Sequence, residues 1–460
     1  MSDRQIKTVN PFTEEVVETY NLMSNEEAKQ IVKKSHDAFL DWRMRSLEER
    51  AAVIKSIAEE LRKSKDQFAQ LMTAEVGKLM SDGKMEVELC AAICDYTAQH
   101  GPKVLADEKR QSNDGDAFIT HAPLGVIYGI QPWNFPAYQA IRYSISALIA
   151  GNGVLLKHAS SCTGSGMFLR DLYERAGLPK GLFGVLVIDH DQSDMIVEHD
   201  LVRGVTLTGS DKAGRTVGAK AASLVKKTVL ELGSNDAYLV LEDADLELAI
   251  KTCVQGRLFN NGETCVNAKR FIVTDNNYDA FVEGYVEQFK AIQMGDPAKD
   301  DTQLGPLVTE EQRDKLHGQV KDSIDKGAKL LVGGEIPDRK GWFYPASVLA
   351  EVESGQPAYD DELFGPVASI IRAKDDEDAM RLANDSRYGL GGGIFSKNVD
   401  RARELAAKHF DTGMVSINTF NIASPDLPFG GVKDSGYGRE HGEEGLKEWT
   451  NVKSIVVGKT

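Results

Sequence analysis

Over the first hundred residues, apolar side chains recur at helical spacing. Ser24, followed by Glu26 and Glu27, caps a segment in which Ala28, Ile31, Val32, Ser35, Ala38 and Phe39 fall on one face. A second amphipathic run covers residues 47–72, with Ala51, Ile54, Ala58, Leu61, Phe68 and Leu71 along one stripe. A third covers about residues 81–100. These helices read as covering layers. From His121 the pattern changes to short apolar runs: GVIYGI, GVLLKHA, GVLVI, GVTLTGS and LVKKTVLEL, the last ending at Glu231 and Leu232. Helical stretches separate them, the clearest at 138–149 and 165–176. Alternation of this kind predicts a parallel, doubly wound sheet. A second series begins near Asp236: AYLVL, a helix over 243–259, KRFIV, a helix over 278–294, AKLLVGG, VASIIRA and GMVSIN, with KSIVVG as a final strand. The fold class is α/β, and two such domains fit 460 residues.

Composition narrows the class. The chain carries 54 basic and 70 acidic residues, a formal charge of −16, so nothing supports a nucleic-acid partner. No uncharged stretch reaches the length of a spanning helix. The start, MSDRQIKTVNPFTEE, lacks the apolar core of a secretory leader. Five scattered cysteines without a CxxC argue against disulfides and against a metal site. A reduced, cytoplasmic, soluble protein is the expectation, with no membrane and no metal.

Of the five cysteines, Cys90, Cys94, Cys162 and Cys253 sit among small apolar residues and read as inert. Cys265, in FNNGETCVNAKR, has polar and glycine-rich company instead, the setting of a nucleophilic thiol. Glu231 ends an apolar strand where parallel sheets bind ligands, and partial desolvation there suits a general base. A solvated strand-end glutamate is the equal alternative on that segment alone. Asn134 lies in QPWNFP between Pro132 and Pro136, which hold its amide ready as an oxyanion donor. TGSDKAG follows a strand and opens a helix, so its N–H groups can meet a phosphate. It does not match the dinucleotide glycine fingerprint. Lys157, at the end of GVLLK, is placed to hold a ribose hydroxyl.

Together these segments resemble the NAD(P)-dependent aldehyde dehydrogenase superfamily, from NPFTEE to the tail. PWNFP, LELG, FNNGETC, MGDP, LGPLV, ELFGPV, NDSRYGL and PFGGVKDSGYGRE carry the likeness. The resemblance implies a Rossmann-type cofactor domain (1–104 and 123–231), a catalytic domain (232–435), and an oligomerisation flap and tail (105–122 and 436–460). It implies that Cys265 attacks the aldehyde to form a thiohemiacetal, with Asn134 and the Cys265 N–H stabilising the oxyanion. Hydride then passes to the nicotinamide, and Glu231 activates the water that hydrolyses the thioester. Trp133, Lys157, Ser160, Gly209, Ser210, Leu232, Glu362 and Phe364 match cofactor contacts.

The likeness is greatest to the succinate-semialdehyde dehydrogenases. Arg142, about two helical turns after Asn134 and on one face with it and Tyr138, matches a substrate-carboxylate arginine, and Ser424 matches a second contact. Glutarate semialdehyde, lactaldehyde or a broad range are the alternatives, with a CoA-acylating or silent binding relative further off. Four positions depart from the family pattern: Ser234 replaces a glycine, His158 a proline and Tyr143 a lysine, and no cysteine stands at 267. Ser160 stands where NAD-preferring relatives carry glutamate. A hydroxyl there, beside Lys157, accommodates the extra phosphate, so NADP is expected to be preferred and NAD accepted. A homodimer or homotetramer is expected, because flap and tail strands leave backbone groups to be covered.

Overall fold

The computed structural model describes residues 4–113 and 115–458. Residues 1–3, Asp114 of the expected flap and residues 459–460 of the expected tail lie outside them. The helical reading of the N-terminal region holds. Asn25–Trp42 starts at Ser24 in a reciprocal capping box with Glu27. The second run is two helices, Leu47–Lys63 and Lys65–Val76, broken at Ser64, and the third extends over Met80–Val104. Ahead of them stands a hairpin, Gln5–Val9 with Val16–Asn21, which the sequence reading lacked. Its second strand is almost entirely exposed and carries no alternating apolar signal.

A six-stranded sheet runs Gly436–Tyr437, Lys227–Glu231, Val202–Thr208, Val126–Gln131, Gly153–His158, Phe183–Val185. All neighbours are parallel except the short edge strand Gly436–Tyr437. The chain starts in the middle at Val126–Gln131, winds outward through Gly153–His158 and Phe183–Val185, and returns on the other side at Val202–Thr208. Between Val126–Gln131 and Val202–Thr208 the winding reverses, and such a switch point opens a crevice at the strands' carboxyl ends.

A seven-stranded sheet has the order Lys329–Val332, Ser347–Ala350, Val367–Ala373, Arg270–Thr274, Ala237–Val240, Gly392–Phe395, Ser416–Ile417, with only its first pair antiparallel. Gly392–Phe395 escapes an apolar-run search because two of its four residues are glycines. A side chain at Gly393 would collide with the Tyr238 ring, and one at Gly392 with Phe410. A three-stranded sheet joins Thr450–Gly458, Gly115–Pro123 and Glu108–Ser112. Val452, Ile455, Val456 and Val457 of its long edge strand are exposed. No helix among the described residues is long and apolar enough to cross a membrane.

Candidate active site

The crevice lies at the switch point. The segment after Val126–Gln131 contributes Pro132, Trp133 and Asn134; the segment after Val202–Thr208 contributes Gly209, Ser210 and Asp211; the one after Lys227–Glu231 contributes Leu232 and Gly233. Cys265, Glu362 and Phe364 close it from the loops that precede Arg270–Thr274 and Val367–Ala373. Its volume is about 360 Å³, within the range of small-ligand sites. Trp133 and Phe364 meet edge to face, ring centroids 5.7 Å apart.

Cys265 is the one free cysteine of the five that is not fully buried. Its polar neighbours turn out to brace the loop rather than face solvent. Asn260 and Asn261 adopt left-handed backbone, φ 53° and 56°, a conformation asparagine tolerates better than most residues. Asn260 Nδ2 donates to the Asn134 carbonyl at 3.0 Å. Asn261 ties Gly77, Pro306 and Gly305 together. Asn134 Nδ2 donates to the Glu263 carbonyl at 3.0 Å, and Asn134 Oδ1 accepts from Gln139. The nucleophile loop and the asparagine loop are thus built as one unit.

Glu231 is buried behind the crevice wall, and neither carboxylate oxygen has a hydrogen-bond partner. Burial pushes its pKa well above the usual carboxylate range; Arg142 opposes this and Glu440 adds to it. The Cys265 thiol is pushed up to about 12 by burial, with Lys269 and Arg142 pulling it down. Burial therefore favours the uncharged form of both groups.

The two-point clamp expected of Arg142 requires a correction. Arg142 is not an open fork: Arg142 Nε pairs with Glu440 Oε2, and Nη2 donates to Thr208 Oγ1 at 2.9 Å. The guanidinium packs over the rings of Tyr138 and Phe429. Only Nη1 is left without a partner, so a two-point clamp is unavailable and a single contact remains. The void beside Arg142, bounded also by Tyr96, Pro425 and His441, is about 10 Å³, room for one water. Tyr138 is buried and its hydroxyl bonds His441 Nε2 at 2.8 Å. Ser424 is partly exposed and accepts from Asn421 Nδ2 at 3.2 Å; neither residue lines the crevice.

Ser210 is the N-cap of the helix Asp211–Ser223, its hydroxyl accepting from the Ala213 N–H. That leaves a helix N-terminus open to a diphosphate. Gly209 has free space where a side chain would stand, and a Cβ at Gly233 would reach within 2.8 Å of Glu362 Oε2. The glycine wall, the aromatic pair and the partly buried Glu362 carboxylate therefore fit the ribose and ring of a nicotinamide nucleotide. Lys157, next to last in the strand Gly153–His158, is nearly buried, its pKa lowered by that burial, and Ser160 is exposed at the start of the short helix Ser160–Cys162. Both stand outside the crevice lining around Cys265. Among the described residues no group of three or more His, Cys, Asp or Glu is arranged to hold a metal ion.

Sequence reasoning missed Glu86 and Lys78. Glu86 Oε1 accepts from the N–H groups of Ala137 and Tyr138, at the start of the helix Tyr138–Ile149, and Lys78 Nζ lies 2.6 Å from Glu86 Oε2. This buried pair fixes the loop that carries Asn134. A charge on the inner face of the helix Met80–Val104 and a lysine in the short link before it were the available signal.

The aldehyde dehydrogenase family's sequence profile matches residues 1–455, and the chain belongs to that family. It is 42% identical over 453 residues to a succinate-semialdehyde dehydrogenase [NADP(+)] of Deinococcus radiodurans, covering 98% of this chain and 95% of that one. A Mycobacterium tuberculosis succinate-semialdehyde dehydrogenase [NADP(+)] 1 is 40% identical, covering 98% and 99%. Among solved structures, succinic semialdehyde dehydrogenase from Streptococcus pyogenes in complex with NADP+ superposes with TM-score 0.96 at 38% identity, covering 99% and 100%.

Proposed function

We propose that this protein oxidises succinate semialdehyde to succinate, with NADP+ preferred and NAD+ accepted. The observation that carries the reading is the crevice that gathers Asn134, Cys265, Glu362 and Phe364 in one lining, with Arg142 buried within electrostatic reach of Cys265 and Glu231 and its Nη1 without a partner. The succinate-semialdehyde dehydrogenases at 40–42% identity support the substrate and the cofactor. A lactaldehyde dehydrogenase structure matches at 30% identity, the lower figure for the competing substrate.

In this reading the Cys265 sulfur attacks the aldehyde carbon. The second hydrogen of the Asn134 amide and the Cys265 backbone N–H receive the oxyanion. Bound NADP+ supplies the hydride acceptor. Glu231 then takes a proton from the water that hydrolyses the thioester, and its raised pKa suits that task. A water-activating carboxylate favours hydrolysis over acyl transfer to CoA. Trp133, Glu362 and Phe364 would hold the nicotinamide ribose and ring, Gly209, Ser210 and Leu232 would line the path of the diphosphate, and Lys157 with Ser160 would meet the adenosine ribose.

We read the six-stranded sheet with its helices as the cofactor-binding domain and the seven-stranded sheet as the catalytic domain. The three-stranded sheet is the flap, and its exposed Val452, Ile455, Val456 and Val457 are read as the surface of a homodimer or homotetramer. Five free cysteines agree with a reducing cytoplasm. The test is a panel of aldehydes at equal concentration with both cofactors. Succinate semialdehyde with NADP+ should give the highest rate, and butanal or lactaldehyde outrunning it would refute the substrate assignment.

A further inference from the structure

Three segments that build the crevice converge on one buried ammonium. Lys269 immediately precedes the strand Arg270–Thr274, and its side chain is 2% exposed. Its Nζ donates to the carbonyl oxygen of Cys265 and to Ser234 Oγ, the latter at 3.0 Å, and stands 3.3 Å from Glu362 Oε1. Ser234 Oγ donates to the same Cys265 carbonyl. The Lys269 backbone is pinned as well: its N–H donates to Asp236 O at 3.2 Å, and its carbonyl accepts from Ser369 at 3.1 Å. Ser234 follows the Glu231 strand end, Cys265 is the nucleophile of the reading above, and Glu362 faces the crevice.

A neutral donor would satisfy the Cys265 carbonyl and the Ser234 hydroxyl. Burying an ammonium is costly unless an opposite charge lies close, and here that partner is Glu362. We propose that Lys269 is a positioning residue: its charge fixes the Cys265 loop and Glu362 at a set separation, and it places a positive charge behind the attacking sulfur. The proposal rests on Cys265 being the nucleophile. The charged and titratable groups facing the thiol are Lys269 and Arg142, which favour the thiolate, Glu362 and Glu231, which oppose it, and the Tyr138 hydroxyl. Asp236, buried near Lys269, shares its field.

The test is the pH dependence of iodoacetamide alkylation of the full-length protein, read on the Cys265 peptide by mass, for wild type, Lys269→Met, Lys269→Gln and Lys269→Arg. Lys269→Gln keeps a donor without the charge, so it separates bonding from electrostatics and serves where Lys269→Met does not fold. At a given pH below the thiol midpoint, the Met and Gln variants should react about tenfold more slowly, matching the wild-type rate only about one pH unit higher. Lys269→Arg should stay within about threefold of wild type, a shift of less than half a pH unit. A wild-type alkylation profile in Lys269→Gln or Lys269→Met would overturn the proposal, even where turnover is lost. Loss of NADPH formation as Cys265 is alkylated is scored separately, so a failure of the nucleophile assignment is distinguishable from a failure of this one.

Discussion

Arg142 is held by Glu440, and this buried pair lies in the same electrostatic cluster as Glu231. The guanidinium stabilises two carboxylates that would otherwise repel each other in a dry setting. Removing it orphans Glu440, so Arg142→Met should cost about 3–5 kcal/mol of stability. Arg142→Met with Glu440→Gln should recover most of that. Neither variant should recover selectivity for a charged aldehyde, because the free Nη1 is gone; losing one charge-assisted hydrogen bond costs about 1.5–3 kcal/mol in kcat/KM. Chemical denaturation and a succinate semialdehyde to butanal rate ratio check the two parts. Restored selectivity in the double variant would remove Arg142 from substrate recognition.

Activity should climb with pH through neutrality. The Cys265 thiol is held at about 12 and Glu231 well above its usual range, both chiefly by burial, and each must lose a proton to act as nucleophile or base. Pre-steady-state NADPH formation between about pH 6 and 9 should rise, about tenfold per unit while the thiol limits. A burst independent of pH would mean that the thiolate is already formed in the free protein.

Cofactor preference should turn on Ser160. A carboxylate at this position would repel the phosphate that distinguishes NADP, so Ser160→Glu should shift the kcat/KM ratio toward NAD by about tenfold or more. An unchanged ratio, or a wild type that already favours NAD by a wide margin, would place the discrimination elsewhere.

Glu75 gives a stability test independent of catalysis. Its carboxyl accepts from the N–H groups of Gly164 and Ser165 and from Ser165 Oγ, and burial raises its pKa to about 7. The folded chain therefore holds this proton more tightly than the unfolded chain. The group's contribution is fully present below about pH 4.5 and is lost as pH rises to about 7, a loss on the order of 2–3 kcal/mol. The denaturant midpoint of wild type should fall relative to that of Glu75→Gln as pH rises across that window, because the amide does not titrate. A constant difference would contradict it.

Much of this architecture is legible in the sequence because buried parallel strands and capped helices leave local signatures. VASIIRA and GVTLTGS read directly as strands, and Ser24 with Glu27 marks a helix start. The helix Glu310–Asp325 was missed because it buries only Leu316, Val320 and Ser323, too few to show a period. Cys265 stood out through its neighbours, yet Asn260 and Asn261 prove to be braces, a role visible only once their distant partners are in place. Arg142 shows where local reasoning stops. Helical spacing put it on the right face, but Glu440 comes from almost the other end of the chain, and no local pattern announces such a pairing. Lys269 and Glu86 were silent for the same reason.

The central claim, that Cys265 carries the succinyl group and Glu231 releases it, is tested most directly by trapping the intermediate. Glu231→Gln mixed with succinate semialdehyde and NADP+ and quenched in acid should show one succinyl group on the Cys265 peptide. About one equivalent of NADPH should form per active site in a fast phase, followed by slow turnover. Free succinate released at the wild-type rate with no adduct on Cys265 would contradict both roles.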